Sequence, residues 1–187
     1  TRGMFKITGR YKELLIGAGG ENIAPVPIED SIKKRCEAIS NIMMVGDKRP
    51  YNCALITLKC KGATGDLPGT NELDAEALDA AQAVGAGDTI GAASSSQSFV
   101  DSITKAITET NSDTTVVPNN ASKIQKWTIL PLDFSVETEE LTPTFKLKRS
   151  FVHGKYEAVI DTLYSSKGDT PFIQTLRDEG IPGGLHS

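Results

Sequence analysis

Glycine and charged side chains are concentrated near the start of the chain, in residues 9–29. A basic turn at residues 9–12 precedes a short apolar run at residues 14–16 and a glycine-rich reversal at residues 17–20. Glycine tolerates the positive φ angles of a tight reversal, and it lets a backbone approach a ligand closely. So much glycine and charge at the tip of a predicted hairpin suggests a functional part of the protein.

A second basic stretch lies at residues 141–149, Leu-Thr-Pro-Thr-Phe-Lys-Leu-Lys-Arg. It carries Lys146, Lys148 and Arg149 directly before a predicted helix. By residue type alone, these cations indicate a charged loop that leads into a helix. The helix is predicted from apolar residues that share one face, namely Val152, Tyr156, Val159, Ile160 and Leu163.

The composition is ordinary for a globular protein, with 39% hydrophobic and 24% charged residues in a chain of 187. A formal net charge of -4 argues against a general nucleic-acid binder, which needs a basic face. Cys36, Cys53 and Cys60 are an odd and scattered set, which favours reduced thiols in a cytosol-like compartment. With only two histidines, His153 and His186, no zinc site is expected.

The sequence shows no sign of membrane insertion. No apolar run approaches the roughly 20 residues of a transmembrane helix, and residues 1–5 lack the apolar middle segment of a secretory signal. We therefore expect a cytoplasmic location without a transmembrane segment.

Trp127 is predicted to lie in the core and His153 at the surface.

The apolar spacing predicts a small α+β domain: an N-terminal β-hairpin, a three-stranded or slightly larger sheet with flanking helices, and a helical insertion at residues 61–122. Pro25 opens the first helix, with Glu29 and Asp30 in its first turn. Asn71 is expected to cap a helix over residues 72–84. The remaining predictions are strands at 4–8, 41–45, 53–60 and 123–132, a flexible connector at 85–96, a helix at 97–111 and an extended tail at 165–187.

Both motif stretches resemble the C-terminal domain of the adenylate-forming (AMP-binding) enzymes. Residues 7–16, Ile-Thr-Gly-Arg-Tyr-Lys-Glu-Leu-Leu-Ile, are similar to the hinge motif of that family. Residues 19–29 resemble the long-chain acyl-CoA synthetases, particularly the bubblegum type. Residues 141–149 are similar to the long-chain form of the motif that carries the catalytic lysine of the family. The resemblance covers roughly residues 4–164.

The resemblance implies roles for residues of the first motif. Arg10 would contact the ribose of the adenylate; a surface ion pair is its alternative role. Lys12 would mark the hinge about which the domain rotates between two half-reactions. Gly17, Gly19 and Gly20 would form the loop that lines the passage for the pantetheine arm of CoA, although the turn itself also requires glycine.

In the second motif, the resemblance implies that Lys146 is the catalytic lysine of adenylation. An ammonium there would stabilise the negative charge that develops when a carboxylate attacks the α-phosphate of ATP. Lys148 is the competing candidate, because the Thr-Phe-Lys form lacks the glycine that usually precedes this lysine.

The implied function is that of the C-terminal catalytic lid, residues 1–164, of an ATP-dependent long-chain fatty acid–CoA ligase. ATP, Mg²⁺ and CoA would serve the full-length enzyme, with none bound to this part alone and no metal site in it. The partners would be an N-terminal adenylation domain of the same protein and the fatty acid, without nucleic acid. Without that domain the lid is expected to be inactive.

Two alternatives remain open at this level. One is a non-catalytic binding or regulatory module that retains the lid fold. The other is a ligase for a medium-chain or aryl acid, since selectivity for the acyl chain would reside in the N-terminal domain. Peripheral association with the endoplasmic reticulum or another membrane is compatible with either.

Overall fold

The computed structural model describes residues 13–165. Arg10, Lys12, the predicted strand at 4–8 and nearly all of the predicted tail lie outside the described residues. The elements in chain order are β1 (Leu15–Ile16), β2 (Asn22–Ile23), α1 (Pro25–Arg35), β3 (Ile39–Val45), β4 (Asn52–Leu58), α2 (Ala75–Ala83), α3 (Ile90–Ser95), α4 (Gln97–Ser112), a 3-10 turn (Asn120–Ser122), β5 (Ile124–Ile129), α5 (Arg149–Lys155) and α6 (Glu157–Ser165).

A three-stranded sheet in the order β3–β4–β5 forms the centre of the domain, and β1 and β2 pair as a separate antiparallel hairpin. β4 runs antiparallel to β3 and parallel to β5. Two adjacent parallel strands need a long crossover connection. Helices α2, α3 and α4 lie within that crossover, in the segment where the sequence predicts a helical insertion.

Helices cover both faces of the sheet, so every residue of β4 is buried. Ala54, Ile56 and Leu58 pack in a core with the apolar residues of α1 to α4. Cys53 and Leu55 point the other way, into a second core with residues of α5 and α6. Alternate residues of β4 therefore face opposite sides of the sheet, as expected of the strand predicted at residues 53–60. The fold is the small α+β domain that the sequence predicts.

Four local predictions about the helices are wrong. Asn71 does not cap α2, which begins at Ala75 after Asp74; the Asn71 carbonyl instead accepts a hydrogen bond from the Ile90 amide at 2.8 Å. The connector predicted at residues 85–96 contains helix α3, whose first turn is capped by the hydroxyl of Thr89, the acceptor of the Ala92 amide at 3.1 Å.

The single helix predicted after residue 149 is divided into α5 and α6 at Tyr156, which is buried with the rest of the predicted apolar face. Glu29 lies one turn beyond the start of α1 rather than in its first turn, and that turn has no acidic residue. Its carboxylate therefore does not serve the helix dipole. Glu29 is buried instead, and its partner is a cation distant in sequence.

The three cysteines are buried thiols. Burial raises the pKa of Cys53 to about 11 and that of Cys60 to about 11, and it also raises the pKa of Cys36. At neutral pH these side chains are therefore protonated, which makes them poor nucleophiles. Within residues 13–165, no helix is both long enough and apolar enough to cross a membrane.

Candidate functional site

Lys146 is an exposed residue of a tight hairpin at residues 141–147, where it lies opposite Thr142. A β-bridge between Leu141 and Leu147 closes the base. At the tip, the Phe145 amide donates to the Thr142 carbonyl at 2.7 Å, and the Thr142 amide donates to the Lys146 carbonyl at 2.8 Å. The Lys146 amide also donates to the Thr142 hydroxyl at 3.1 Å. These bonds fix the backbone that carries the Lys146 ammonium.

Phe145 adopts the left-handed conformation that closes this hairpin, with φ of 63°. That conformation costs a non-glycine residue roughly 1–2 kcal/mol. The Phe145 side chain is about half exposed, and its ring lies against Gly65, where an added Cβ would be 2.9 Å from the ring. Phenylalanine therefore occupies a position that favours glycine, and a second loop supports its ring.

Glu140 anchors the hairpin base. Its carboxylate is 1% exposed and accepts hydrogen bonds from the Lys155 ammonium at 2.8 Å, the Tyr156 hydroxyl at 3.3 Å and the Ser135 amide at 3.3 Å. The Thr138 hydroxyl donates to it as well. Burial and the adjacent Glu140 charge raise the pKa of Tyr156 above its ordinary range. Residues on both sides of the hairpin thus converge on one carboxylate.

A second buried ion pair lies directly after the hairpin. The Arg149 guanidinium binds the Glu29 carboxylate with both terminal nitrogens, at 2.8 and 2.7 Å. Glu29 also accepts the backbone amide of Met44, on β3, at 2.7 Å. Glu29 ends the first motif and Arg149 ends the second, so the two motifs meet at this pair.

The glycine hairpin of β1 and β2 rests on the turn between β3 and β4. Inside the hairpin, the Gly17 amide donates to the Glu21 carbonyl and the Gly20 amide to the Gly17 carbonyl, both at 2.9 Å. The Lys48 amide donates to the Ile16 carbonyl at 2.7 Å, which ties the hairpin to the turn. The hairpin is therefore held to the sheet while its tip remains exposed.

The glycines of this tip have different structural requirements. Gly20 has φ of 86° with nothing within 4 Å of an added Cβ. Gly17 and Gly19 lie under the Glu21 carboxylate, and a Cβ on Gly17 would lie 2.7 Å from one of its oxygens. A shallow pocket opens beside them, bounded on the other side by Arg49 and its neighbours.

The backbone requirement at Gly20 gives a testable stability difference. Gly20→Ala is expected to lower the free energy of unfolding by about 1–2 kcal/mol, because alanine is strained at positive φ. Gly154 lies in helix α5, and nothing lies within 4 Å of an added Cβ there. Gly154→Ala should therefore raise the free energy of unfolding by about 0.5–1 kcal/mol. Urea denaturation of the two variants measures both changes in the free energy of unfolding, which should have opposite signs. A Gly20→Ala variant as stable as the unmodified chain would contradict the assigned turn.

Comparison with known proteins identifies the family. Residues 12–83 match the family model "AMP-binding enzyme C-terminal domain". The long-chain-fatty-acid–CoA ligase ACSBG2 of Gallus gallus is 42% identical over 185 residues, which cover 97% of this chain. The chain belongs to the AMP-binding enzyme family, as a C-terminal domain. The ligase ACSBG1 of Homo sapiens is 39% identical over 88% of the chain, so the domain is of the bubblegum type.

The AMP-binding C-terminal domain spans about a quarter of the length of these relatives, 24% and 23% respectively. Solved structures share its fold. The adenylation domain of a carboxylate reductase from Mycobacterium chelonae aligns with 84% of this chain and 20% of its own, at a TM-score of 0.61 and 17% identity. The corresponding didomain from Segniliparus rugosus, solved with AMP, gives a TM-score of 0.58.

Arg10 and Lys12 lie outside the described residues. The other residues predicted to act lie in two separate exposed hairpins of this AMP-binding C-terminal domain. Lys146 is in one of them, while Gly17, Gly19 and Gly20 form the tip of the other. Lys148, the competing lysine, is also exposed, but its ammonium lies 5.0 Å from the centroid of the Phe151 ring.

Sequence reasoning missed the two buried ion pairs. Glu29 occupies the same face of α1 as Pro25, Ile28 and Ile32, all of them buried. A carboxylate on an apolar helix face is a sign of a buried partner. That pattern could have predicted that Glu29 is buried with a partner. No local pattern indicates that the partner is Arg149, which is 120 positions away.

Proposed function

We propose that this chain is the mobile C-terminal lid of an ATP-dependent long-chain fatty acid–CoA ligase. The observation that carries the proposal is the Lys146 hairpin, an exposed ammonium on a backbone that is held by hydrogen bonds and anchored at its base through Glu140. A cation carried on a backbone that is already in place can stabilise developing charge with little reorganisation of the chain during the reaction. The names of the relatives support the acyl-CoA ligase reaction.

In the first half-reaction, a carboxylate oxygen of the fatty acid attacks the α-phosphorus of ATP. The bond between this phosphorus and the pyrophosphate oxygen breaks, which gives acyl-AMP and pyrophosphate. Negative charge accumulates on the phosphoryl oxygens in the transition state, and Lys146 stabilises it there more than in the ground state. Arg10 contacts the ribose of the adenylate.

In the second half-reaction, the lid rotates about Lys12 and presents its other hairpin to the active site. The CoA thiol releases its proton to solvent, and its sulfur attacks the acyl carbonyl carbon. The bond from that carbon to the AMP oxygen breaks, which releases AMP and acyl-CoA. Gly17, Gly19 and Gly20 line the pantetheine arm, where the absence of side chains permits close approach.

The partner of the lid is an N-terminal adenylation domain of the same protein, which supplies the fatty-acid site and most of the ATP site. Residues 13–165 contain no group of three or more His, Cys, Asp or Glu side chains that could hold a metal ion. Mg²⁺ commonly binds through one or two carboxylates together with the phosphates of a nucleotide. We assign it to the full-length enzyme, and it enters no step assigned to the described lid residues. The proposed location is cytoplasmic, with peripheral membrane association open to the full-length enzyme.

The test is a profile of adenylate formation by the full-length protein that contains this chain. Pyrophosphate release is measured with ATP and a series of saturated fatty acids, one medium-chain acid and one aryl acid, before and after addition of CoA. We expect the highest rates with long-chain acids and acyl-CoA only when CoA is added. A preference for a medium-chain or aryl acid would show that the proposed substrate class is wrong. If no acid gave an adenylate, the protein would be a non-catalytic module.

A further inference from the structure

We propose that Arg149 is a positioning residue that, through Glu29, fixes the Lys146 hairpin relative to the α1–β3 core. This inference rests on the proposed function, since it concerns the lysine of adenylation. It assigns to a buried ion pair the task of holding a catalytic side chain that neither partner touches. Arg149 is three residues from Lys146, at the point where the hairpin becomes helix α5.

The contact has the geometry of a rigid connection. Both terminal nitrogens of Arg149 donate to the two Glu29 oxygens, so the planar guanidinium has one orientation relative to the carboxylate. Glu29 is in turn held by the Met44 amide at 2.7 Å. Among the described strands, β3 lies at the edge of the sheet, so no described strand pairs with this amide. One carboxylate thus joins the start of α5, helix α1 and the sheet.

The pair is well shielded from water. The Arg149 side chain is 17% exposed and that of Glu29 is 7% exposed. Burial lowers the pKa of Arg149, but the hydrogen bonds and charge of Glu29, together with the charge of Glu13, reverse that effect and raise it. The guanidinium therefore remains charged, and Glu29 cannot be removed without leaving that charge buried.

The same pair links the two motifs of the lid. Glu29 lies on α1, which follows the glycine hairpin directly, and Arg149 follows the Lys146 hairpin. A second and more exposed ion pair joins Arg49, beside the glycine hairpin, to Asp161 of α6 at 2.7 Å. A lid in which both hairpins are connected to the core in this way can rotate as one body and return Lys146 to the same place.

Loss of the pair is expected to displace Lys146 from the α-phosphate. A misplacement of about 1 Å by a mutation away from the chemistry can slow a reaction about a hundredfold. Arg149→Met should therefore lower the turnover rate of adenylate formation by about tenfold to a hundredfold. Thioester formation from supplied acyl-AMP should change less than threefold, because Lys146 takes no part in that step.

The experiment separates positioning from stability with a double variant of the full-length protein. Arg149→Met alone leaves the Glu29 charge buried and should lower the melting temperature. Glu29→Met combined with Arg149→Met replaces the ion pair by apolar groups, an exchange that often restores stability. We expect the double variant to regain the melting temperature but to retain slow adenylation. Arg149→Lys, which keeps the charge without the bidentate geometry, should also be slow.

Arg35→Met is the matched control, because Arg35 pairs with Asp113 at 3.2 Å in a more exposed site on the other end of α1. It should leave both half-reactions unchanged. If adenylation recovers along with the melting temperature in the double variant, or if Arg149→Lys adenylates at the full rate, Arg149 is only structural and the inference is overturned. Loss of adenylation in Lys146→Ala with no effect of Arg149→Met would overturn the inference but not the proposed function.

Discussion

Replacing Glu140 with alanine is expected to lower the free energy of unfolding of the chain by about 3–5 kcal/mol. Removal of one partner from a buried ion pair leaves the other charge without compensation, and that cost falls in this range. Lys155 would lose its carboxylate at a site where its side chain is 16% exposed. The Tyr156 hydroxyl and the Ser135 amide would lose an acceptor as well.

Urea denaturation followed by circular dichroism measures this effect. Glu137→Ala is the matched control, since Glu137 is an exposed glutamate in the same segment; its effect should stay within about 0.5 kcal/mol. Equal effects of the two substitutions would contradict the role of Glu140 as the anchor of the hairpin base. A Glu140→Ala variant that no longer folds, beside a folded Glu137→Ala variant, would agree with it.

Much of the fold could be predicted from the sequence where one regular pattern dominates. The alternation of Ala54, Ile56 and Leu58 predicted β4 because a strand repeats every two residues. The stripe through Phe99, Ile103 and Ile107 predicted α4, which is amphipathic, with those residues buried. In both elements, the residues that pack in one core recur at the period of the secondary structure, and this recurrence is visible in the sequence.

The misplaced elements are those in which local signals compete. Glycine and serine around residues 85–96 indicated a connector, but the capping hydroxyl of Thr89 and the burial of Ile90 and Ala93 stabilise helix α3 there. Tyr156 has the spacing of one continuous helix, yet the chain divides at it. These short elements depend on tertiary packing, which a single window of sequence does not contain.

The candidate site could be predicted only as far as its local parts. Residues 17–20 were predicted as a reversal and form one. The basic stretch was expected to lead into a helix, and α5 begins at its last residue, Arg149. The ion pairs that support the site were not predicted. Glu29 and Arg149 are 120 residues apart, and only the folded chain brings them together.

Replacing Lys146 with alanine should have the largest effect on activity. Removal of one preorganised group that stabilises developing charge typically lowers a turnover rate by about 10²–10³. We expect a loss of this size in adenylate formation by the full-length protein. Lys148→Ala is the matched control, because Lys148 is a cation two residues away, beside the Phe151 ring. It should change the same rate by less than about fivefold.

The central claim is that Lys146 serves one half-reaction and the glycine hairpin serves the other. Its most direct test is to measure both half-reactions in the Lys146→Ala variant of the full-length protein: pyrophosphate release from ATP and fatty acid, and acyl-CoA formation from supplied acyl-AMP and CoA. The account predicts that the first rate falls about 10²–10³-fold while the second stays within a factor of three of the unmodified enzyme. Adenylate formation at the full rate, or an equal loss in both half-reactions, would contradict it.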